Sequence, residues 1–211
     1  MAMGSTIILA NGTFPKAKQL LDLLDVAAQI ICCDGAANKL IESGREPSVI
    51  IGDLDSVFPD YKEKYKDIMI HVDDQNTNDL TKAVNWCCSN KIEEIIIMGA
   101  TGEREDHTIA NVSLLAEYQK NIKVKMLTDN GIFIPISKTT SFKATPGQQV
   151  SIFSMKPTVS ICSEGLKYPL DNLALDNWWM GTLNEANSTK FRIIINEEAR
   201  VVVYSINLST L

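Results

Sequence analysis

The chain has 211 residues, 45% of them hydrophobic and 22% charged, with a net charge of −6. That length admits one large domain or two small ones, and that apolar content supports a packed core and excludes a disordered chain. An acidic protein has no basic field for a nucleic-acid backbone, so it can hold phosphate only through local devices: helix N-termini, a few cations, or a metal ion. No apolar run approaches the ~18 residues of a membrane span. Thr6-Ile7-Ile8-Leu9-Ala10 is too short for a secretory signal and lacks a charged lead, so the expected location is the cytoplasm.

Up to about residue 128 the chain alternates strands and helices. A strand is expected at Thr6–Ala10, then a helix opened by Pro15 and running to about Ala28. Ile30-Ile31-Cys32-Cys33 reads as a strand, and Ala36 to Ser43 as a short helix stopped by Gly44. Strands follow at 49–51 and 67–72. Asn78 to about Asn90 is a helix with Leu80, Ala83, Val84 and Cys87 on one face. Ile95–Met98 is a strand, Asp106 to about Gln119 a helix, and Val124–Leu127 a strand. Near-continuous apolar strands alternating with helices imply a parallel sheet covered on both faces.

From Asp129 onward the texture changes. Segments near 131–136, 139–143, 149–154, 158–163, 191–196 and 200–206 are short and β-branched, separated by Gly, Pro, Asn and Lys turns. They predict an antiparallel sandwich or barrel. The expected organisation is an α/β domain over 1–129 and an all-β domain over 130–211, with no internal repeat.

Five cysteines fit a reducing compartment. Cys32 with Cys33 and Cys87 with Cys88 are adjacent, so their side chains diverge, and neither pair has zinc-ligand spacing. They read as small apolar fillers. His71 and His107 are the only histidines, which excludes a multi-histidine metal centre.

The polar clusters fall at the carboxyl ends of the expected parallel strands, where open α/β sheets bind ligands. Asn11-Gly12 follows the first strand and Asp34-Gly35-Ala36-Ala37-Asn38 the second. Gly52-Asp53-Leu54-Asp55-Ser56 follows the third, with two acids one residue apart. Two such carboxylates repel in a dry site, and a divalent cation of the Mg²⁺ type relieves that repulsion. Asp73 to Asp79 follows the fourth, and Asp79 and Lys82 share the polar face of the next helix. Gly99-Ala100-Thr101-Gly102 precedes a helix, so its amides can cradle phosphate, with Arg104 beside it to neutralise phosphoryl charge. Asp106 opens that helix; His107 and Asn111 follow on one face. Each cluster also has a plain reading as a turn, a cap or an exposed ion pair.

Taken in order, these motifs resemble the thiamin pyrophosphokinase family. The resemblance rests on Asp34-Gly35-Ala36-Ala37-Asn38-Lys39-Leu40, Gly52-Asp53-Leu54-Asp55-Ser56, Asp74-Gln75-Asn76-Thr77-Asn78-Asp79-Leu80-Thr81-Lys82, Gly99 to His107 with Asn111, and Gly165-Leu166-Lys167-Tyr168-Pro169-Leu170. It implies a Rossmann-like ATP-binding domain, a C-terminal β-sandwich contributing to thiamine binding and dimerisation, and a homodimer with sites at the subunit interface. It implies Mg²⁺-dependent transfer of pyrophosphate from ATP to the thiamine hydroxyl, giving thiamine diphosphate and AMP. By position, Asp53, Asp55 and Asp79 would hold Mg²⁺, with Asp34 in the same acidic cluster. Asp34, Asp55, Asp79 and Arg104 would be catalytic. Gln75, Lys82, Arg104, Asp106 and Asn111 would contact the triphosphate or shape its pocket. Thr182 and Asn184, in Gly181-Thr182-Leu183-Asn184-Glu185, would meet thiamine.

Two residues depart from the family pattern. Asn78 stands where the family often has Thr, and Leu183 replaces a hydroxyl residue. Trp178 and Trp179 are stacking candidates for a cationic ring, or packing residues. A Mg²⁺-dependent nucleotide phosphohydrolase and a ligand-sensing module without chemistry are the rival readings.

Overall fold

The computed structural model describes residues 4–206. Six short aliphatic strands build the first part of the chain: β1 (Thr6–Leu9), β2 (Gln29–Cys33), β3 (Val49–Gly52), β4 (Met69–His71), β5 (Glu94–Met98) and β6 (Lys123–Thr128). Neighbouring residues Ile7 and Ile8 are both fully buried, as are Ile95 and Ile97. Successive strand residues point to opposite faces, so burial of Ile7 and Ile8 together means that both faces of the sheet are covered. All pairings are parallel, with Ile8 between Ile31 and Ile97.

The strand order β6-β5-β1-β2-β3-β4 decides where the site lies. The chain steps outward from β1 to β4, then returns to the other side of β1 to lay down β5. The direction of winding therefore reverses between β1 and β5, and the loops after them diverge to leave a crevice. The order places four strands on one side of that reversal and two on the other; the six-stranded dinucleotide fold has three on each side.

Five helices connect these strands: α1 (Lys18–Asp25), α2 (Ala36–Glu42), α3 (Pro59–Lys64), α4 (Asp79–Ser89) and α5 (Glu105–Tyr118). The helix expected from Pro15 to Ala28 is shorter at both ends. At its start, the Lys16 and Ala17 amides both donate to Asp129 Oδ1 at 2.8 Å, a carboxylate supplied from distant sequence. At its end, the Ala28 N–H turns to Ser5 O, which draws the chain into β2. α3 escapes sequence reading because its six residues bury none of their side chains and so carry no apolar stripe. The strand expected over 67–72 begins as a 3₁₀ turn at Lys66–Ile68.

The contacts of the described residues form two compact units. One comprises residues up to Asn111 together with Asn121–Asp129; the other comprises Val112–Lys120 and the chain from Asn130. In the second unit, β7 (Gly131–Ile136), β8 (Thr140–Lys143), β9 (Gln149–Ser154), β10 (Ser160–Glu164), β11 (Leu173–Ala174), β12 (Asn184–Glu185), β13 (Lys190–Ile195) and β14 (Val201–Ser205) pair in antiparallel fashion as β12-β9-β14-β7 and β11-β10-β13-β8. β11 and β12 have two residues each, too few for an alternating pattern. One core joins the two sheets: Val150, Ile152, Val201 and Val203 from the first, Ile161, Phe191 and Ile193 from the second. Phe191 is 1% exposed and stacks on Phe142 with ring centroids 4.9 Å apart. Burying side chains of this size contributes about 1.5–3 kcal/mol each. The antiparallel sandwich expected here is the architecture of this unit.

Candidate active site

The crevice predicted by strand reversal is a cleft of about 460 Å³ within the first unit, lined from the loops after β1, β2, β3, β4 and β5. The β1 and β5 loops are knitted together at its base. Ala10 N–H donates to Met98 O, Gly12 N–H to Gly99 O at 2.7 Å, and Thr13 N–H to Thr101 O. A Cβ on Gly12 would stand 2.5 Å from Gly99 O, so only glycine permits this approach. Lys39 on α2 clamps the same pair of loops: its ammonium donates to Gly12 O at 2.8 Å and to Glu103 Oε1 at 2.6 Å. The expected phosphate cradle is correspondingly altered. Gly102 N–H donates to Thr108 Oγ1, and Thr108 Oγ1 donates to Arg104 O, so that amide serves the loop's own shape.

Three acids converge at the mouths of β2 and β3. Asp34, Asp53 and Asp55 each bring one carboxylate oxygen within 4.8 Å of the others. The backbone is bent to achieve this, since Asp34 (φ 44°) and Leu54 (φ 63°) both occupy the left-handed region, at a cost of order 1–3 kcal/mol each. Gly52 makes the convergence sterically possible. A Cβ there would lie 2.9 Å from Asp34 Cβ and 3.2 Å from the Asp79 carboxyl carbon. Asn38, a buried side chain on α2, secures the acid-bearing turn by donating to Ser56 O at 2.8 Å and accepting from Phe58 N–H at 3.0 Å. Ser56 Oγ donates to Asp55 Oδ1.

Asp34 is 4% exposed. Its Oδ2 accepts from Ser56 N–H, whereas its Oδ1 has no hydrogen-bond partner among the described residues. Burial pushes its carboxyl above the ordinary aspartate range, hydrogen bonds from Ser56 and Gly35 pull it down, and the charges of Asp53 and Asp79 push it up again. A buried carboxylate oxygen without a donor, beside two further carboxylates, is an all-oxygen set that suits a hard divalent cation. The residues present therefore fit Mg²⁺.

Asp79 lines the same cleft beside the triad. It is outside that close triad and accepts from Lys82 Nζ at 2.9 Å, one turn along α4. The Lys82 side chain is only 5% exposed. Burial would lower its pKa, but the hydrogen bond and charge of Asp79, with Asp53 and Asp74 behind, raise it, so the ammonium is retained. The neighbouring turn is held by Asp74, which accepts from Asn76 N–H and Thr77 Oγ1, and Gln75 and Thr77 line the cleft beside it. Arg104 grips Asp106 through two hydrogen bonds, at 3.1 and 2.6 Å, and holds that carboxyl down at about 2. Arg104 lines the cleft with His107; Asp106 orients Arg104 from outside the lining. Asn111 is buried with both amide atoms engaged, its Nδ2 donating to Ala100 O and its Oδ1 accepting from Asn78.

The first unit thus brings together Asp34, Asp53, Asp55, Gln75, Asp79, Lys82, Arg104 and Asn111. Thr182 and Asn184 belong to the second unit. Thr182 Oγ1 donates to Trp179 O. Asn184 is buried; it donates to Tyr168 O at 2.6 Å and accepts from Tyr168 N–H, pinning the Gly165–Leu170 loop. Leu183 is 81% exposed in the left-handed region, Trp178 meets Phe153 edge-on, and Trp179 is 73% exposed. Sequence reasoning gave no role to Asn38, Lys39 or Thr108, although the first two stand in the Asp34–Leu40 motif. A polar Asn38 between apolar Ala37 and Leu40 was the available signal for the first; the other two act through distant loops.

The thiamin pyrophosphokinase catalytic domain matches residues 20–126, and the thiamin pyrophosphokinase substrate-binding domain matches residues 131–204. Thiamine pyrophosphokinase 1 of Oryza sativa is 29% identical over 200 residues, which cover 80% of this chain and 75% of that protein. The crystal structure of thiamine pyrophosphokinase from Bacillus subtilis superposes with a TM-score of 0.79 at 21% identity, covering 97% of this chain and all of that one. The yeast thiamin pyrophosphokinase structure gives the same TM-score at 18% identity, covering all of this chain and 89% of that one.

Proposed function

Because the chain belongs to the thiamin pyrophosphokinase family and is an enzyme of that type, we propose that it transfers pyrophosphate from ATP to the hydroxyl of thiamine, with Mg²⁺, releasing thiamine diphosphate and AMP. The thiamine oxygen forms a bond to the β-phosphorus while the bond from that phosphorus to the α–β bridging oxygen breaks, leaving its electron pair on AMP. In such transfers the protein contributes mainly positioning and electrostatic stabilisation. The observation that carries the reading is the pairing, in one cleft, of a close acid triad containing a partnerless buried oxygen with the cations Lys82 and Arg104.

Asp34, Asp53 and Asp55, with Asp79 adjacent, would hold Mg²⁺. Bound there, the ion supplies positive charge and Lewis acidity toward phosphate oxygens. Lys82 and Arg104 offset negative charge growing on the leaving AMP oxygen, and Gln75 and Asp106 shape the triphosphate pocket around them. The hydroxyl proton passes to a carboxylate of the cluster, for which Asp34 and Asp55 are the two candidates. Thiamine recognition is assigned to the second unit, whose residues 131–204 match the substrate-binding domain, with Thr182 and Asn184 as contacts. A homodimer in the cytoplasm completes the reading; five free cysteines are in keeping with a reducing compartment.

The test is mass detection of products from ATP, thiamine and Mg²⁺, with thiamine-free and EDTA-treated controls. Stoichiometric thiamine diphosphate and AMP, both dependent on Mg²⁺, support the proposal. AMP released equally fast without thiamine defeats it in favour of a hydrolase.

A further inference from the structure

α4 carries Asp79 and Lys82 into the cleft, and the loop after β5 carries Arg104. Their parent strands β4 and β5 are separated in the sheet by β3, β2 and β1, and α4 packs back across those three strands toward the β5 loop. Side-chain amides span the gap between the start of α4 and the β5 loop. Thr81 N–H donates to Asn78 Oδ1 at 2.9 Å, Asn78 Nδ2 donates to Asn111 Oδ1 at 3.2 Å, and Asn111 Nδ2 donates to Ala100 O at 2.9 Å. Asn111 is 8% exposed, and Ala100 is 3% exposed.

The polarity of this chain is fixed from both ends. A backbone N–H at Thr81 demands an acceptor, which turns the NH₂ of Asn78 toward Asn111. A backbone carbonyl at Ala100 demands a donor, which turns the oxygen of Asn111 toward Asn78. A carboxamide accepts through one atom and donates through the other, and a carboxylate cannot replace it at either position without setting two oxygens against each other. Asn111, expected as a nucleotide contact, has both amide atoms committed to the protein.

We propose that Asn78 and Asn111 are positioning residues: a head-to-tail amide relay that sets the spacing between the Asp79–Lys82 end of α4 and the Arg104 loop. Misplacement of reacting groups by about 1 Å can cost about a hundredfold in rate. Asn78 and Asn111 also line the cleft, but with their amides committed to this chain the relay acts on kcat through those residues. This rests on the pyrophosphokinase reading, so its test has one readout that needs no turnover.

Asn78→Asp keeps the α4 cap and exchanges the donor for a charged acceptor; Asn111→Leu, of similar volume, removes both the acceptor for Asn78 and the donor to Ala100 O. In the folded wild-type protein, the Asn78 side-chain NH₂ should exchange with solvent more slowly by NMR than in Asn111→Leu, which removes its acceptor, whatever the activity. Each single variant should lose about ten- to a hundredfold in kcat with KM for ATP within about threefold, and the double variant should fall little further than either. An Asn78 NH₂ that exchanges equally fast in the wild type and in Asn111→Leu overturns the relay. A rise in KM for ATP confined to Asn111→Leu, or losses that multiply in the double variant, overturns the positioning role. Absence of thiamine diphosphate production by the wild type defeats the functional reading alone, and the exchange readout still decides the relay.

Discussion

Lys82 Nζ lies 2.9 Å from Asp79 Oδ1, with the lysine side chain 5% exposed and the aspartate 31% exposed. The pair spans the first turn of α4, so the cation offered to a polyanion is held by the residue expected to serve the metal. Breaking it from either side has different consequences.

Asp79→Asn leaves a buried ammonium facing a neutral amide. Loss of one partner of a fully buried pair costs 3–5 kcal/mol; with Asp79 partly solvated, about 2 kcal/mol is expected in urea denaturation. Lys82→Met removes the buried charge itself and should cost less stability while lowering turnover by at least about a hundredfold. Equal stability losses in the two variants would contradict the burial asymmetry. Lys82 has a raised folded-state pKa, so its contribution is complete below the unfolded value of 10.5 and disappears as pH rises through the higher folded value.

Asp34→Asn should stabilise the protein without metal and disable it as an enzyme. It removes a charge from a 4%-exposed site that includes a partnerless oxygen and two nearby carboxylates. A gain of about 1–2 kcal/mol is expected without Mg²⁺, seen as a higher Tm, together with loss of the Tm increase that Mg²⁺ and ATP produce in the wild type. A lower Tm in EDTA would show that the Asp34 charge holds the fold together.

The Arg104–Asp106 pair should persist far into acid. Asp106 is depressed from 3.8 to about 2, first by its hydrogen bond from Arg104. Its contribution is therefore present above the unfolded value and is lost as pH falls through about 2. Carboxyl ¹³C titration should place the Asp106 midpoint near 2, and Arg104→Met should move it toward 3.8. An unchanged midpoint in that variant would assign the shift to other groups.

The cysteines should divide by environment. Cys32, Cys33 and Cys87 are buried, and burial pushes Cys87 up to about 12 and the other two higher. At pH 8 a thiol reagent should label the partly exposed Cys88 and Cys162 first, and the other three only on unfolding. These raised pKa values hold stability in place below about 9; it declines as pH rises toward 12, because the unfolded chain then releases protons that the folded chain keeps. Rapid labelling of Cys33, which lines the cleft, would show that the cleft opens.

Much of the site was legible as residue types at strand ends. Aliphatic strands such as Ile95–Met98 announce their own burial, and polar residues just beyond them can only be loop residues. The pairings inside the site were not legible. Asp34 joins Asp53 and Asp55 in the close triad and Asp79 does not: Gly52 lets β2 and β3 bring their turns together, while Lys82 engages Asp79 on its helix. The roles of Lys39, Thr108 and Asp129 were not legible in sequence, since each works on backbone groups from loops far along the chain.

Amino-acid order alone determined the alternation of parallel strands and helices, the change to antiparallel strands near Asn130, and the set of acids and cations available for phosphate chemistry. These follow from local periodicity and side-chain chemistry, which neighbours in sequence express directly. Tertiary structure decided which carboxylates share a cation-sized space, which amides of the β5 loop are engaged, and how Asn78 and Asn111 join two distant loops. Those outcomes depend on distances of a few ångströms between groups remote in sequence, and only the order of strands in the sheet sets such distances.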